Sequence, residues 1–420
     1  MMAESKSIII IGGGVIGLCT AYYAMQKGHR VTVLERGTAD HDSCVLGSAG
    51  FISPSHFVPL AAPGMVAKGL RMMWDPESPF YIRPRLNREL WNWGWKFCRA
   101  CSAAHVARSA PLMRDLTLAS RRCFEELAVE PANDFGLVKK GLLTLCKTDH
   151  VFRHEAETAE QSRALGMPAE VLTPQQTAKL EPNIQMDIVG AAYFPLDCHL
   201  SPQRFMAGLT RLLERGGVNF SWSTPVSGLR VSGRRIETLQ TDRGEFTADE
   251  YVIAGGSWSP NLVRDLRLKL PLQAGKGYSL TLPKPRRLPA ISCILVEARV
   301  AVTPIGSSLR FGGTMEIAGL DESLNPARVR GIIKSVPKYF PEFSAEDFRD
   351  VPPWRGLRPC SPDGLPYVGR FGRYANLSVA TGHAMMGLSL GPITGKLMAE
   401  ILSGEKPSIP LEMLSPDRYG

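Results

Sequence analysis

The chain of 420 residues has no apolar run that reaches the roughly 20 consecutive residues a membrane span needs, which excludes a spanning helix. No charged and apolar leader ending in small residues precedes the first motif, so the expected location is the cytoplasm. The 9 cysteines keep no framework spacing, which argues against a disulfide scaffold and fits a reducing compartment. The one Cys-x-x-Cys pair, Cys98 and Cys101, follows Trp91-Asn92-Trp93-Gly94-Trp95 in an expected helix; it reads as helix thiols or as a redox pair, and a single pair is not a metal site. Metal ligation is not expected. The net charge is +9, yet there is no Lys/Arg tract and no aromatic-basic stripe, only the short Arg121-Arg122 and Arg234-Arg235 clusters. Nucleic acid is therefore excluded as a partner, while peripheral contact with an anionic membrane face and acidic small molecules stay open. Low-complexity segments, internal repeats and a recognisable catalytic dyad are also missing.

What is there begins at once. Ser7–Arg36 reads SIIIIGGGVIGLCTAYYAMQKGHRVTVLER, an apolar strand followed by Gly12-x-Gly14-x-x-Gly17 at the opening of a helix. Gly12 permits the tight turn, Gly14 lets a pyrophosphate approach the backbone, and Gly17 lets the helix pack on the strand. The helix N-terminus offers unpaired N–H groups to the phosphates. Gly28 ends that helix, His29–Leu34 alternates as a second strand, and Glu35, twenty-three residues after Gly12, can accept both hydroxyls of an adenosine ribose. This is a dinucleotide-binding unit, FAD and NAD both remaining open on these residues alone, and the acidic residue argues against a 2′-phosphate.

With 44% hydrophobic and 21% charged residues, the composition is that of an ordinary globular chain with room for two domains. Helices are expected at about Leu86–Cys101, Leu112–Leu127, His150–Leu165 and Ser201–Gly216, the last with Ser201 as N-cap and Pro202 at its first position. A β segment is expected around Leu137–Cys146, short strands at Asn219–Trp222, Val226–Val231, Arg235–Thr241 and Gly244–Ala248, and a buried strand at Glu250–Ala254. From Leu270 to about Pro352 the pattern is mostly β with one helix, Asn325–Val336; Leu377–Ala380 is a strand and Gly387–Ser403 a helix. The apolar segment Phe57–Trp74 reads as a lid, an interfacial patch or buried inter-domain packing.

These residues resemble the D-amino-acid oxidase superfamily of flavoproteins, and within it the D-amino-acid dehydrogenases, over nearly the whole chain. Beside the fingerprint and Glu35, Ser48-Ala49-Gly50-Phe51-Ile52-Ser53-Pro54 is similar to the small-residue segment that runs beside the isoalloxazine ring. Ala61-Ala62-Pro63-Gly64 and Ile82-Arg83-Pro84 resemble the dehydrogenase branch. Thr224-Pro225-Val226 is similar to the segment that offers a backbone valine to the adenine, and Ala254-Gly255-Gly256-Ser257-Trp258-Ser259 to the second cofactor loop. Gly356-Leu357-Arg358-Pro359-x-x-Pro362-Asp363-Gly364-x-Pro366 and Thr381-Gly382-His383 resemble the C-terminal signature. One departure is Ser48, where those enzymes commonly have asparagine before Ala-Gly.

The resemblance implies an α/β chain: a Rossmann-like FAD-binding domain of the glutathione-reductase type, with an interleaved α+β substrate domain on a large mixed sheet. The expected division gives 1–60, 200–270 and 356–420 to FAD, and 61–199 with 271–355 to substrate, with a helical lid over about 61–130. It implies noncovalent FAD, since no cysteine stands near Met385-Met386, held by Gly12, Gly14, Val15, Ile16, Gly17, Glu35, Arg36, Ser48, Ala49, Gly50, Ile52, Val226, Gly255, Trp258, Gly382, His383, Met386, Gly387, Leu388 and Ser389. The N–H groups of the last helix would stabilise negative charge gathering on the flavin; His383 reads equally as a packed turn histidine. Arg358 is implied as the bidentate clamp on a substrate carboxylate. Tyr278, His199 and His56 are further candidates for the substrate side, each with packing or capping as the alternative. The implied reaction is hydride transfer from the α-carbon of an amino acid to flavin N5, giving an imino acid that water hydrolyses, with electrons passed to a quinone or other acceptor. D-amino acids, including D-proline or hydroxy-D-proline, are the expected substrates; glycine or sarcosine oxidation, and a non-catalytic flavin subunit of a hetero-oligomer, are the alternatives.

Overall fold

Ile8–Ile11 are all apolar and all land in a layer covered on both faces, which is why the chain opens as a parallel inner strand. The computed structural model describes residues 4–130 and 133–420. Its first sheet has six strands in the spatial order Tyr367–Arg370, Leu377–Thr381, Glu250–Ile253, Ser7–Ile11, Arg30–Leu34 and Asn219–Ser221. All neighbours run parallel except the edge pair Tyr367–Arg370 with Leu377–Thr381. A three-stranded antiparallel sheet, Val226–Ser232, Arg235–Thr241 and Gly244–Phe246, fills the stretch between two of these strands.

Two helices cover one face of the six-stranded sheet and cross each other closely. They are Val15–Gln26 and Gly387–Leu402, and both are mostly buried. A Cβ on Gly395 would stand 2.4 Å from the backbone of Cys19, and one on Gly391 would stand 3.1 Å from Val15. Only glycine at position 395 lets the backbones meet, and Gly391, about one turn earlier, eases the same approach. Phe124, Phe135 and Phe205 extend the same core, with ring centroids 5.1–6.2 Å apart.

The second sheet has nine strands, and its axis of eight runs Trp354–Cys360, Gln273–Leu282, Ser308–Ile317, Val300–Ile305, Ser292–Leu295, Leu142–Cys146, Gly190–Phe194 and Glu170–Leu172; Phe80–Ile82 adds beside Ser308–Ile317. It is mixed, with parallel pairing at Ser292–Leu295/Leu142–Cys146 and at Ser308–Ile317/Phe80–Ile82. Helix Pro326–Tyr339 lays Val329, Ile332 and Val336 on a core with Phe311, Leu309 and Val302. The α/β class with a Rossmann-like sheet and a large mixed sheet is thus the observed architecture.

Several boundaries differ from the expected ones, each for a local reason. The helix expected at Leu112–Leu127 is the latter part of one helix, Ala103–Ala128, with Pro111 inside it. Its stripe of Met113, Leu116, Phe124 and Leu127 packs into the first core, while its start, Ala103 to Pro111, borders the cavity between the two sheets. Val138 makes only an isolated bridge to His199, and the strand expected from Leu137 begins at Leu142. Strand Trp354–Cys360 crosses the expected boundary at residue 356, because all seven of its residues pair with Gln273–Ser279 of the second sheet. The segment Phe57–Trp74 is split: Phe57 and Ala61 are buried, whereas helix Met65–Met72 buries no residue.

Candidate functional site

One cavity of about 2620 Å³ runs between the two sheets, from Gly12 and Glu35 at one end to Arg358 and His383–Ser389 at the other. Pockets for ordinary small ligands hold about 300–1,000 Å³, so this one suits a long cofactor together with a second molecule.

At the first end the backbone does the work. Gly12 has φ +118°, and a Cβ there would stand 2.5 Å from the carbonyl oxygen of Ala254; one on Gly17 would stand 1.9 Å from the carbonyl oxygen of Gly12. Gly14 caps the helix without a side-chain hydrogen bond, and a Cβ on it would make only an ordinary contact, 3.7 Å from Ser43 Oγ. The uncapped N–H groups of the first turn thus face the cavity, as a pyrophosphate requires. Glu35, buried at the end of the second strand, accepts from Gly13 N (2.7 Å) and Gly37 N (2.8 Å). These two bonds fix its carboxylate while leaving lone pairs for a ribose. Arg36 lies over the Trp258 ring at 3.6 Å, tying this end to the Gly255–Ser259 loop, and Val226 lines the wall nearby. These residues fit the adenosine and pyrophosphate of FAD.

The far end is made by Ser48, Ala49, Gly50, Met386, Gly387, Leu388 and Ser389. Helix Gly387–Leu402 also starts without a side-chain cap, and Ser389 Oγ accepts from Ser53 N at 3.0 Å, holding the Ser48–Pro54 segment against that helix end. His383 borders the cavity; its Nε2 meets Thr394 Oγ1 at 2.9 Å, its Nδ1 has no partner, and burial pushes its pKa down to about 3, so the ring is neutral. A neutral donor-acceptor here adds no fixed charge at this end of the cavity.

Arg358 projects into this end from strand Trp354–Cys360. Its guanidinium donates to the carbonyl of Thr314 at 2.6 Å, and no carboxylate pairs with it among the described residues. Burial lowers its pKa from the usual arginine value. Two features that sequence reading missed put it there. Gly277, across the strand pair, leaves room: a Cβ would stand 2.0–2.3 Å from the guanidinium atoms. Thr314 has φ +68°, a left-handed conformation that costs a β-branched residue, at a bulge where Gly313 and Glu316 pair with Tyr278 and Lys276. A glycine in β-rich sequence was the available signal for the first; the bulge left none.

The other candidates divide. His56 lines the cavity, and burial pushes its pKa down to about 4. Tyr278 does not line it: strand alternation turns Tyr278 to the opposite face from Gly277, where its hydroxyl donates to Glu316 at 2.6 Å beside the buried Lys276. His199 is likewise set in the backbone pairing of Phe51 and Val138, buried, away from the cavity lining. Of the cofactor candidates, Val15, Ile16 and Gly255 are in the wall. Gly17, Ile52 and Gly382 stand behind it: Gly17 under the Gly12 carbonyl, Ile52 in the core, Gly382 at φ +82° against Tyr367. Cys98 and Cys101 are free thiols on helix Arg88–Ala100 and at its end, the first exposed, the second half-buried and pushed up to about 11 by burial. No cluster of three or more metal-ligating side chains occurs among the described residues.

A family model described as FAD dependent oxidoreductase, DAO, matches residues 7–401. The chain is 34% identical over 420 residues to a D-amino acid dehydrogenase of Granulibacter bethesdensis, covering 98% of this chain and 99% of that protein. It is also 34% identical over 418 residues to a D-amino acid dehydrogenase of Agrobacterium fabrum, with 98% and 99% covered. Among solved structures, glycine oxidase from Geobacillus kaustophilus superposes with a TM-score of 0.79 at 25% identity, covering 99% of each chain. L-proline dehydrogenase from P. horikoshii shares the fold, with a TM-score of 0.74 at 18% identity over 100% of this chain and 98% of that one.

Proposed function

The chain belongs to the DAO family of FAD-dependent oxidoreductases, and on that premise we propose that it oxidises the amino group of D-amino acids, with Arg358 as the carboxylate clamp. One observation carries the reading: a half-buried guanidinium facing the cavity, whose one hydrogen bond among the described residues goes to a backbone carbonyl and which has no acid to pair with among them. A cation held partly away from bulk water without a partner is unfavourable, and an amino-acid carboxylate completes it with two parallel hydrogen bonds.

Bound FAD supplies a two-electron acceptor for the hydride that leaves the α-carbon. The chain's own residues set the approach. Gly12, Gly14 and Glu35 anchor the adenosine half; Ser48–Gly50 and Met386–Ser389 line the flavin half; Arg358 holds the carboxylate so that the α-C–H is oriented, and orientation supplies most of the rate. The imino acid product is hydrolysed by water to a 2-oxo acid and ammonia.

The acceptor reading concerns the mouth. Leu70, Leu86, Trp91 and Trp95 line the cavity yet are exposed, Leu86 and Trp91 at 102% and 70%, among the basic Lys68, Arg71 and Arg85. Aromatic and basic residues mixed around an opening suit an anionic membrane face and delivery of electrons to a quinone. No helix among the described residues is long and apolar enough to cross a membrane.

The test is anaerobic bleaching of the flavin by a panel of D- and L-amino acids, prolines, glycine and sarcosine, followed by air. Bleaching by D-amino acids or D-prolines with slow recovery in air, and fast recovery with a quinone, is the expected result. Bleaching by glycine or sarcosine with fast recovery in air would replace this reading with an amine oxidase, and a flavin that nothing bleaches would leave a non-catalytic subunit.

A further inference from the structure

His56 is not alone at the cavity wall. Its Nδ1 lies 3.3 Å from Ser55 Oγ, and that hydroxyl lies 2.6 Å from Asp197 Oδ2; Ser55 N donates to Asp197 Oδ1 at 3.0 Å. Asp197 is 1% exposed, forms no ion pair among the described residues, and has both carboxylate oxygens bonded to Ser55. His56 Nε2 has no hydrogen-bond partner among the described residues, and His56 lines the cavity. We propose that His56, Ser55 and Asp197 form a proton-carrying chain that takes the ammonium proton from the bound amino acid and stores it on Asp197. The proposal rests on the amine-oxidation reading above.

The direction follows from counting hydrogens. A serine hydroxyl has one proton to give. While Asp197 is a carboxylate, Ser55 donates that proton to it, so Ser55 Oγ can only accept, and His56 must carry its hydrogen on Nδ1. Its Nε2 then presents a lone pair to the cavity. When the substrate N–H bond breaks, the proton joins Nε2, the Nδ1 hydrogen passes to Ser55 Oγ, and the original serine hydrogen passes to Asp197 Oδ2. One proton has moved, no electrons have changed hands, and the amine is left with the free lone pair that hydride departure requires. His56 ends as the Nε2–H tautomer, so the state of Asp197 decides whether the ring faces the cavity as acceptor or donor.

The surroundings suit that storage role. Burial raises the Asp197 pKa to about 7, against the opposing hydrogen bonds of Ser55 and the more distant charge of Arg121 from helix Ala103–Ala128; Ser53 and Cys198 are its other polar neighbours. Burial lowers the His56 pKa to about 4, so it relays a proton without keeping it. Asp197 accepts when ionised, so the chain works above about pH 7 and fails below.

The test uses the FAD-loaded protein with ¹⁵N-labelled histidine. In the wild type, His56 should change from the Nε2–H to the Nδ1–H tautomer as pH rises through about 7; in Asp197→Asn and in Ser55→Ala it should keep one tautomer across that range. Ser55→Ala removes a single oxygen, so it remains informative if the aspartate variant does not fold. With a bleaching substrate, anaerobic flavin reduction near neutral pH should slow about 100-fold in both variants, the size of a general-base contribution, and climb with pH as the free amine does. An unchanged His56 tautomer in the wild type, or variants that keep the wild-type pH profile, would overturn the chain while leaving amine oxidation intact. A wild-type flavin that no amine bleaches would overturn the amine-oxidation reading and this proposal with it.

Discussion

The two ends of the cavity are built on different principles. The end that fits adenosine is made mainly by one βαβ unit and largely from backbone: the Gly12 turn, the uncapped helix start at Gly14, and two N–H groups locking Glu35, with Val226 and the Gly255–Ser259 loop closing the wall. The substrate end is assembled across the sheet from strands far apart in sequence, with Arg358 on one, Gly277 on its neighbour and Thr314 on the next. The first is a local motif that any compatible fold can carry; the second exists only when three strands are in register. A change at the substrate end should therefore destroy turnover and spare cofactor binding, and a change at the adenosine end should do the reverse.

The largest break in this comparison comes from Arg358→Leu. Removing the clamp leaves a substrate carboxylate buried without a cation, a loss of about 3 kcal/mol or more, so kcat/KM should fall roughly 10²- to 10³-fold. The visible flavin spectrum and FAD content should be unchanged. Arg358→Lys should recover only part, because a point charge cannot hold the Thr314 carbonyl and two carboxylate oxygens together. Loss of FAD from Arg358→Leu would show that the two ends are one unit.

Gly277→Ala sharpens the same point without touching a charged group. The added methyl would stand within 2.0–2.3 Å of the guanidinium, which is the free end of a long side chain, so Arg358 yields and the strand does not. A displacement of about 1 Å at a positioning group can cost about 100-fold, and kcat/KM should fall by roughly that factor with little change in Tm. Steady-state kinetics beside a thermal melt decides between this and simple unfolding.

The same contrast explains what could be read from the sequence. The strand Ser7–Ile11, the helix cap at Ser201-Pro202 and the helix from Gly387 follow from local apolar runs, glycines and capping residues, and they fall within a residue or two of where pattern places them. Arg358, the proposed clamp, is singled out in the sequence because its segment carries a resemblance. The glycine beside it, the left-handed Thr314 and the Asp197–Ser55–His56 chain are not: each depends on which strand lies next to which, and on the face a strand turns to the cavity. Tyr278 shows the limit well, since a single step of strand alternation separates it from Gly277 and puts it behind the wall. Helix Met65–Met72 was not among the expected elements because it spans only eight residues directly after Pro63-Gly64, too short for its periodicity to stand out.

Glu35→Gln gives the smallest expected effect and probes the other end. A glutamine oxygen can accept from Gly13 N or from Gly37 N, while its amide group faces the remaining N–H, so one of the two bonds is lost and a ribose hydroxyl loses a charged acceptor. About 1.4 kcal/mol follows, a roughly tenfold weaker Kd for FAD. Gly14→Ala should act the same way by another route: with φ −73° the residue accepts a side chain, and its methyl enters the cavity near Ser43 where the pyrophosphate would lie. Both variants should fold and, at saturating FAD, keep kcat and the KM for amino acid, because neither residue reaches the strands that hold Arg358. FAD titration by flavin fluorescence, followed by kinetics at saturation, measures the two quantities separately. A fall in kcat that added FAD does not restore would mean that the adenosine end also sets how the flavin end sits against the clamp, and the division between the two ends would have to be given up.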